Sequence, residues 1–236
     1  MITVLQDWQE IGDSVIKLNQ VGAHLHDAPG GEKNWDHAQL YELIKGLDRS
    51  ASILDIGCGG RSTLEFLWSI GFRDLTGIDD FAVPTGLRKI RFNLLELLLR
   101  HRWGVPYRLL ADNFVGAPLA ASRFDLATCI SVIEHEVRLE PFFKEAFRVL
   151  KPGGILFVTT DYWDERVTTP GTAQFGNHGW EIFDRARLQT EVLPAAITAG
   201  FEILGSDTIP TVKDRPIYWN GLRYTFAALS FRKPRS

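Results

Sequence analysis

Residues 53–61, with the sequence ILDIGCGGR, constrain this chain more than any other segment. They read as an apolar strand that carries a carboxylate at Asp55, then a glycine-rich turn, then the start of a helix. Glycine has no side chain and tolerates positive φ, so such a turn lets a ligand approach the bare backbone. The pattern predicts a ligand site between a strand and a helix, and Asp55 bears on the charge that the ligand can carry.

Length and charge exclude several classes of protein. The chain has 236 residues and a net charge of −3, which favours one α/β domain and gives no basic field for nucleic acid or an anionic membrane. Cys58 and Cys129 form neither a disulfide framework nor a metal-ligand spacing. The first residues lack the pattern of a signal peptide, and no apolar run is as long as a membrane span. We therefore expect a soluble protein in a reducing, cytoplasmic setting.

Apolar runs alternate with helical patterns along most of the chain, which predicts a doubly wound, mostly parallel sheet with helices on both faces. Residues 1–33 are irregular in pattern and end in a turn-rich segment. The predicted strands cover residues 53–56, 75–79, 107–112, 124–132 and 155–160, with two more near 201–206 and 224–231. The predicted helices cover residues 36–47, 62–70, 86–101, 141–150 and the segment from 184 to 200.

Local signals suggest where these helices begin and which way they face. Asp36 is expected to cap the first helix, and Ser62 with Glu65 forms a capping-box pattern after the glycine turn. In the helix over 86–101, Leu94 and Leu98 belong to the apolar face that we expect to point inward.

Three predicted strands carry acids at their carboxyl ends, namely Asp55, Asp79 and Asp112. In an open α/β sheet this edge is where ligands bind. Asp55 would repel the pyrophosphate of a dinucleotide, and Ser62 stands where the dinucleotide fingerprint has its third glycine. A ligand with an ammonium, a sulfonium, a ribose diol and an adenine amine would instead be favoured, and S-adenosylmethionine has all four.

Several segments together resemble the class I (Rossmann-like) S-adenosylmethionine-dependent methyltransferases of the small-molecule type. The resemblance is strong over residues 50–160 and holds in outline elsewhere. It implies a seven-stranded sheet whose last strand is antiparallel, for which residues 224–231 are the candidate. The matching segments are LDIGCG at 54–59, GID at 77–79, ADNF at 111–114, the stretch from FDL at 124–126 to IEH at 133–135, and RVLKPGG at 148–154.

The resemblance also implies roles for individual residues toward the cofactor. Gly57 and Gly59 would bring backbone close to the methionine moiety, and Ile130 or Ser131 would offer backbone to its ammonium. The acid of the second motif, Asp79, would hold the ribose hydroxyls, and that of the third, Asp112, would accept from the adenine amine. The neighbours of these acids complete the predicted cofactor site, and they are Asp80, Phe81, Asn113 and Phe114. For Phe81 and Phe114, packing in the core is an equal alternative to contact with the adenine.

Arg61 departs from the family pattern, which usually has glycine there. An arginine at a helix start opposes the helix dipole, and a ligand carboxylate would compensate for it. We therefore consider pairing of Arg61 with the methionine carboxylate, with a solvent-facing side chain as the alternative.

Methyl transfer to an alcohol needs an in-line arrangement and a base near neutral pH, for which histidine is the usual residue. His135 follows the fourth strand and is the first candidate, with a structural role as the alternative. His178 lies in the unpatterned stretch 163–179, which is long enough to be a lid or binding loop, and is the second.

Asp161, Tyr162 and Trp163 end the fifth strand and form a candidate acceptor site, with packing against the lid as the alternative. His24 and His26 have a spacing that metal ligands can use, but no third ligand is apparent, so no metal is expected.

The sequence thus predicts a single methyltransferase domain over residues 1–236, with a helical cap at 1–48, a cofactor-binding core at 50–160 and a substrate-side region at 161–236. The expected reaction is O-methylation of a sugar or other hydroxylated metabolite, without nucleic acid or membrane partners, by a monomer or homodimer. The alternatives are a nicotinamide-dependent oxidoreductase, a non-catalytic cofactor-binding protein and a nucleic-acid methyltransferase. The last is disfavoured because the signature common in enzymes that modify base amines is lacking.

Overall fold

The computed structural model describes residues 1–26, 31–80, 94, 98, 107–170 and 179–235. The strands in these ranges are β1 (Ile2–Val4), β2 (Ser52–Ile56), β3 (Asp74–Asp79), β4 (Arg108–Ala111), β5 (Phe124–Ile130), β6 (Leu150–Trp163), β7 (Phe183–Asp184), β8 (Glu202–Ile203), β9 (Ile217–Trp219) and β10 (Leu222–Arg232). The helices are α1 (Trp8–Gln20), α2 (Asn34–Ile44), α3 (Ser62–Ser69), α4 (Leu139–Val149), α5 (Arg185–Arg187), a π-helical turn (Leu188–Val192) and α6 (Leu193–Thr198).

The main sheet has the strand order β1-β10-β6-β5-β2-β3-β4. Its β2 to β6 pair in parallel, whereas β10 is antiparallel to both β6 and β1. The predicted mostly parallel sheet with an antiparallel closing strand is therefore confirmed. The order reverses between β2 and β5, and such a reversal opens a crevice at the carboxyl ends of the strands.

Apolar side chains cover both faces of this sheet, because residues that are adjacent along a strand point to opposite sides. In β6, Leu156 and Val158 join the core that contains Phe142 and Phe143 of α4. Phe157, between them, joins the core on the other face, which takes in residues of α1, α2 and α3. The helices thus lie on both faces, as the alternating pattern predicts.

Residues 1–33, whose sequence is irregular in pattern, form a strand and a helix in the part that the structure describes. β1 pairs with β10 and supplies an edge strand of the main sheet. α1 follows, with Asp7 Oδ1 accepting the N–H of Glu10 at 3.1 Å as its N-cap. The run near 201–206, by contrast, gives only the two-residue β8. β1, with three residues, is too short to show a period in the sequence, and its place in the sheet depends on pairing with residues of β10 more than 220 positions away.

Two of the predicted helix caps are wrong. α2 begins at Asn34, so Asp36 lies inside its first turn and is fully buried. α3 begins at Ser62 itself, and its N-cap is Arg61, which makes no side-chain capping bond. The N-cap of α2 thus lies three residues earlier than the capping pattern indicates, and that of α3 one residue earlier.

The predicted helix over 86–101 lies outside the described residues except at two positions. Leu94 and Leu98 are helical, and both side chains are more than half exposed, so the expected inward orientation is not observed there. Among the residues that the structure describes, no helix has the length and apolar character needed to cross a membrane.

Candidate active site

The glycine turn after β2 folds back onto the end of β3. The N–H groups of Gly57 and Cys58 both point to Ile78 O, at 2.8 and 3.2 Å. Gly57 has φ +70°, and a Cβ atom added to it would lie 3.0 Å or less from both methyl carbons of Val132. The turn therefore requires glycine at this position for conformation and for space.

Asp79, at the end of β3, is the acid most closely tied to this turn. Its Oδ2 accepts the N–H of Gly59 at 2.7 Å, and its carbonyl oxygen accepts the N–H of Asp112 at 3.0 Å. Asp112 in turn accepts the N–H of Asn113 at 2.9 Å, and the amide of Asn113 lies 3.4 Å from Asp80. The structure thus brings together the four polar residues that the sequence predicts for the ribose and adenine side of a cofactor site.

Asp55 is placed differently from the other two acids, because it lies behind the turn. Its side chain is buried and accepts the hydroxyl of Thr128 at 2.7 Å. Burial, with a smaller contribution from Asp79, raises the pKa of Asp55 to about 7. This carboxyl is consequently only partly ionised at neutral pH, and its negative charge grows when a cation lies nearby.

Arg61 is exposed and has φ +69°, a left-handed conformation that is costly for a residue with a Cβ atom. The glycine that the family usually has there would adopt this φ without strain. The pairing of Arg61 with a ligand carboxylate stays a prediction.

Phe114 packs in the core below this edge. Its ring meets that of Phe142 edge-on, with the ring centroids 5.7 Å apart, and 8% of the residue is exposed. Of the two alternatives for Phe114, the structure shows the packing contact. Phe81 lies outside the described residues.

Ile130 is the last residue of β5 and Ser131 follows it, at the opening between β2 and β5. Ser131 has φ +53°, and its N–H donates to Thr159 O at 3.1 Å. An ammonium can only donate hydrogen bonds, so the carbonyl oxygens of this segment are the groups that can accept from a ligand ammonium, as the sequence predicts for one of these two residues.

His135 lies on the same side of the sheet, four residues beyond Ser131. Its Nδ1 is 3.2 Å from Gly179 O, and a carbonyl oxygen can only accept a hydrogen bond. The proton of the neutral imidazole is therefore on Nδ1, which makes Nε2 the nitrogen that can take up a proton. His178 lies outside the described residues.

The end of β6 does not present its three predicted acceptor-site residues together. Asp161 is buried and accepts the indole N–H of Trp180 at 2.8 Å, and Trp163 packs against Arg215. Tyr162 points to the opposite face, where it is fully buried and donates to Asp164. Strand alternation accounts for the difference, so Tyr162 does not join the other two in an acceptor site.

Lys33, just before α2, is a residue of this site that sequence reasoning missed. Its ammonium contacts Ser131 Oγ, lies 3.8 Å from Asp36 Oδ2 and stands 3.9 Å from the centre of the Phe226 ring. These partners are spread over the chain, and a single basic residue carries no periodic signal. Glu134, which the sequence shows as part of a motif, is buried beside them.

His24 and His26 have other partners in the structure. His24 Nε2 is 3.3 Å from Glu65 Oε2, and the ring of His26 lies 5.9 Å from that of His37. Across the described ranges, no three His, Cys, Asp or Glu side chains are grouped so that they could hold a metal ion.

Residues 54–158, which run from β2 into β6, match the family model described as a methyltransferase domain. Over these residues the chain is similar to the class I S-adenosylmethionine-dependent methyltransferases that its motifs predict. The matched residues contain the glycine turn and every described residue of the predicted cofactor site, so the methyltransferase motifs and the crevice coincide.

Curated methyltransferases are similar to a large part of the chain. The ubiquinone biosynthesis O-methyltransferase of Methylobacterium nodulans is 30% identical over 169 residues, which are 68% of this chain and 61% of that protein. The mitochondrial ubiquinone biosynthesis O-methyltransferase of Bos taurus is 31% identical over 145 residues, which are 56% and 36% of the two chains. The chain spans about three fifths or less of the length of these relatives.

Solved structures share the fold of this chain over nearly all of its length. The [4+2]-cyclase SpnF has a TM-score of 0.59 at 19% identity, covering 97% of this chain and 95% of that one. The 1,6-didemethyltoxoflavin-N1-methyltransferase of Burkholderia thailandensis has a TM-score of 0.53 at 21% identity, covering 98% and 92%.

Proposed function

We propose that this chain transfers the methyl group of S-adenosylmethionine to an oxygen atom of a small hydroxylated metabolite. The observation that carries the proposal is the arrangement of Gly57, Gly59, Asp79 and Asp112 around one crevice at the carboxyl edge of the sheet. The name O-methyltransferase, borne by the curated relatives, supports oxygen as the methylated atom.

The residues of the crevice fit this cofactor. A Cβ atom on Gly59 would meet nothing nearer than 3.9 Å, so the turn has an open side on which a ligand can lie. Asp79, Asp80 and Asp112 supply acceptors for ribose hydroxyls and an adenine amine, and the carbonyl oxygens at the end of β5 suit an ammonium. When bound, S-adenosylmethionine supplies an electrophilic methyl group.

The remaining work of the protein is to hold the acceptor in line with that methyl group and to take up its hydroxyl proton. His135 is suited to the second task, because its Nδ1 is held by Gly179 O and Nε2 is the basic nitrogen. Asp161, Trp163 and Trp180 lie on the same face of the sheet and provide a polar and aromatic wall for an acceptor.

One sheet takes in both ends of the chain, since β1 pairs with β10. This pairing supports the proposal that residues 1–236 form a single methyltransferase domain, with 1–48 as a cap and 161–236 on the acceptor side.

Calorimetric titration with S-adenosylmethionine, S-adenosylhomocysteine and NAD tests the cofactor. We expect binding of the first two, and tight binding of NAD alone would instead support the oxidoreductase alternative. Production of S-adenosylhomocysteine across a panel of hydroxylated acceptors then tests turnover, and His135→Ala should lower kcat far more than it changes affinity for S-adenosylhomocysteine.

A specific observation makes the turnover measurement necessary. SpnF shares the fold and is a [4+2]-cyclase, so this architecture also serves chemistry other than methyl transfer. Binding of S-adenosylmethionine without methylation of any acceptor would favour such a reaction or a non-catalytic role.

A further inference from the structure

Three buried carboxyl groups meet beneath α2, at the carboxyl ends of β5 and β6. Asp36 comes from α2, Glu134 from the segment after β5, and Asp161 from β6. They are 0%, 1% and 5% exposed, respectively. Together they form a group that we call the acid cluster.

Hydrogen bonds satisfy the acid cluster only in part. Glu134 Oε2 accepts from the hydroxyl of Thr160 at 3.1 Å, and Asp161 Oδ2 accepts from the indole of Trp180 at 2.8 Å. Neither carboxyl oxygen of Asp36 has a hydrogen-bond partner within 3.5 Å among the described residues, although the hydroxyl of Thr159 is close enough to lower the pKa of this group. A buried carboxylate without partners is costly, so this group is more stable with a proton or beside a cation.

The ammonium of Lys33 lies beside the acid cluster. It lies 3.8 Å from Asp36 and lowers the pKa of all three acids. The other titratable groups that face the cluster are His135 and Cys129 from the β5 side, Tyr224 from β10 and Glu32 before α2. One lysine against three acids leaves the cluster short of positive charge.

Protons make up this shortfall. Burial raises the pKa of Asp36 to about 6 and that of Glu134 to about 8, and it also raises that of Asp161. Near neutral pH the cluster therefore holds at least part of a proton, and a further positive charge nearby would expel it.

Ser131 connects the acid cluster to the crevice, because its hydroxyl contacts Lys33 and its backbone lies at the end of β5, where the methionine end of the cofactor is expected. We propose that Asp36, Glu134 and Asp161 form a proton store that releases a proton when the sulfonium cofactor binds and takes up the acceptor's proton as the methyl group leaves. The inference rests on the function proposed above.

The charges balance over a catalytic cycle. In the transfer step the acceptor O–H bond breaks and an O–CH₃ bond forms, while the C–S bond breaks with its electron pair passing to sulfur. The sulfonium charge disappears, and the proton moves to the store through His135, whose charge lowers the pKa of Asp161. The net proton of the reaction thus enters solvent when the next cofactor binds.

S-adenosylmethionine and S-adenosylhomocysteine make a matched pair of probes, since both have the same ammonium and carboxylate and only the first is a sulfonium. Calorimetry at pH 7.5, in buffers that differ in ionisation enthalpy, gives the number of protons released per ligand bound. We expect a substantial fraction of a proton with S-adenosylmethionine and at most half as much with S-adenosylhomocysteine.

Variants assign the released proton to the acid cluster. Glu134→Gln and Asp161→Asn keep an acceptor oxygen and remove a titrating group, and each should lower the release with S-adenosylmethionine at least twofold. Glu140→Gln, at an exposed position near the start of α4, should leave the release unchanged. Near-UV circular dichroism checks the fold of each variant. The comparison of the two ligands on the wild-type protein does not depend on any variant folding.

Equal release with the two ligands would overturn the proton store, and so would unchanged release in both folded variants. If neither ligand binds, both the proposed function and the proposed proton store are rejected. If both ligands bind with equal proton release, only the proton store is rejected.

Discussion

The main-chain N–H of Gly59 donates to Asp79 Oδ2 at 2.7 Å, and this bond ties the glycine turn to the end of β3. The acid predicted to hold the ribose therefore also shapes the loop that approaches the methionine moiety. A change at Asp79 should affect both parts of the cofactor site at once.

Asp79→Ala should weaken binding of S-adenosylhomocysteine by at least about tenfold and destabilise the protein by about 1 kcal/mol, since a hydrogen bond to a charged group is lost. Calorimetry and urea denaturation measure the two effects. Asp13→Ala, at an exposed position on α1, is the control and should change neither. Unchanged affinity in Asp79→Ala would mean that the second motif is misplaced.

Gly57→Ala should destabilise the protein by about 1–3 kcal/mol and abolish cofactor binding. The φ of +70° is strained for alanine, and the added Cβ atom would overlap Val132. Gly60→Ala is a matched control three residues away, because its added Cβ atom would meet nothing within 4 Å and its φ is not positive. Similar denaturation midpoints for the two variants would contradict the steric argument.

Arg61 offers a test that separates backbone strain from charge. Arg61→Gly and Arg61→Ala both remove the guanidinium, but only glycine relieves the φ of +69°. We expect Arg61→Gly to be more stable than Arg61→Ala by about 1 kcal/mol. If Arg61 pairs with the methionine carboxylate, both variants lose affinity for S-adenosylhomocysteine to the same extent, and unchanged affinity would rule out that pairing.

The raised pKa of Glu134 predicts a dependence of stability on pH. The folded protein keeps a proton on Glu134 up to about pH 8, whereas the unfolded chain loses it near pH 4.5. Because the folded state binds more protons between these values, this residue lowers the free energy of unfolding as pH rises through that window.

Glu134→Gln should remove this contribution. Thermal unfolding of the ligand-free protein from pH 6.5 to 8.5 should show the midpoint of the variant rising relative to that of the wild type, with a change of a few degrees. Titrating groups away from the acid cluster, such as the Met1 amine, act equally in both proteins and cancel in the difference. Parallel profiles would mean that Glu134 is not buried with a proton.

Much of the architecture follows from local patterns. The apolar runs of β2, β3, β5 and β6 alternate with helices, and that order favours a parallel sheet whose carboxyl edge binds a ligand. The glycine turn and the acids at the strand ends also lie within short segments, so their placement at one edge needs no knowledge of distant contacts.

Other features depend on contacts that no local pattern encodes. β1 is a strand because β10 pairs with it, and Tyr162 leaves the predicted acceptor site because strand alternation turns it to the far face. Lys33 meets Ser131 across 98 positions of sequence, which neither segment signals.

The sequence by itself determined that this chain has a strand–glycine turn–helix crevice bordered by acids, because each of those elements is specified by neighbouring residues. Only the tertiary structure decided the ionisation of Asp55 and of the acid cluster. Asp55 lies behind the turn with Thr128, and Asp36, Glu134 and Asp161 are buried together beside one lysine. The ionisation of a carboxyl group depends on its burial and on the charges around it, and both are set when distant parts of the chain pack together.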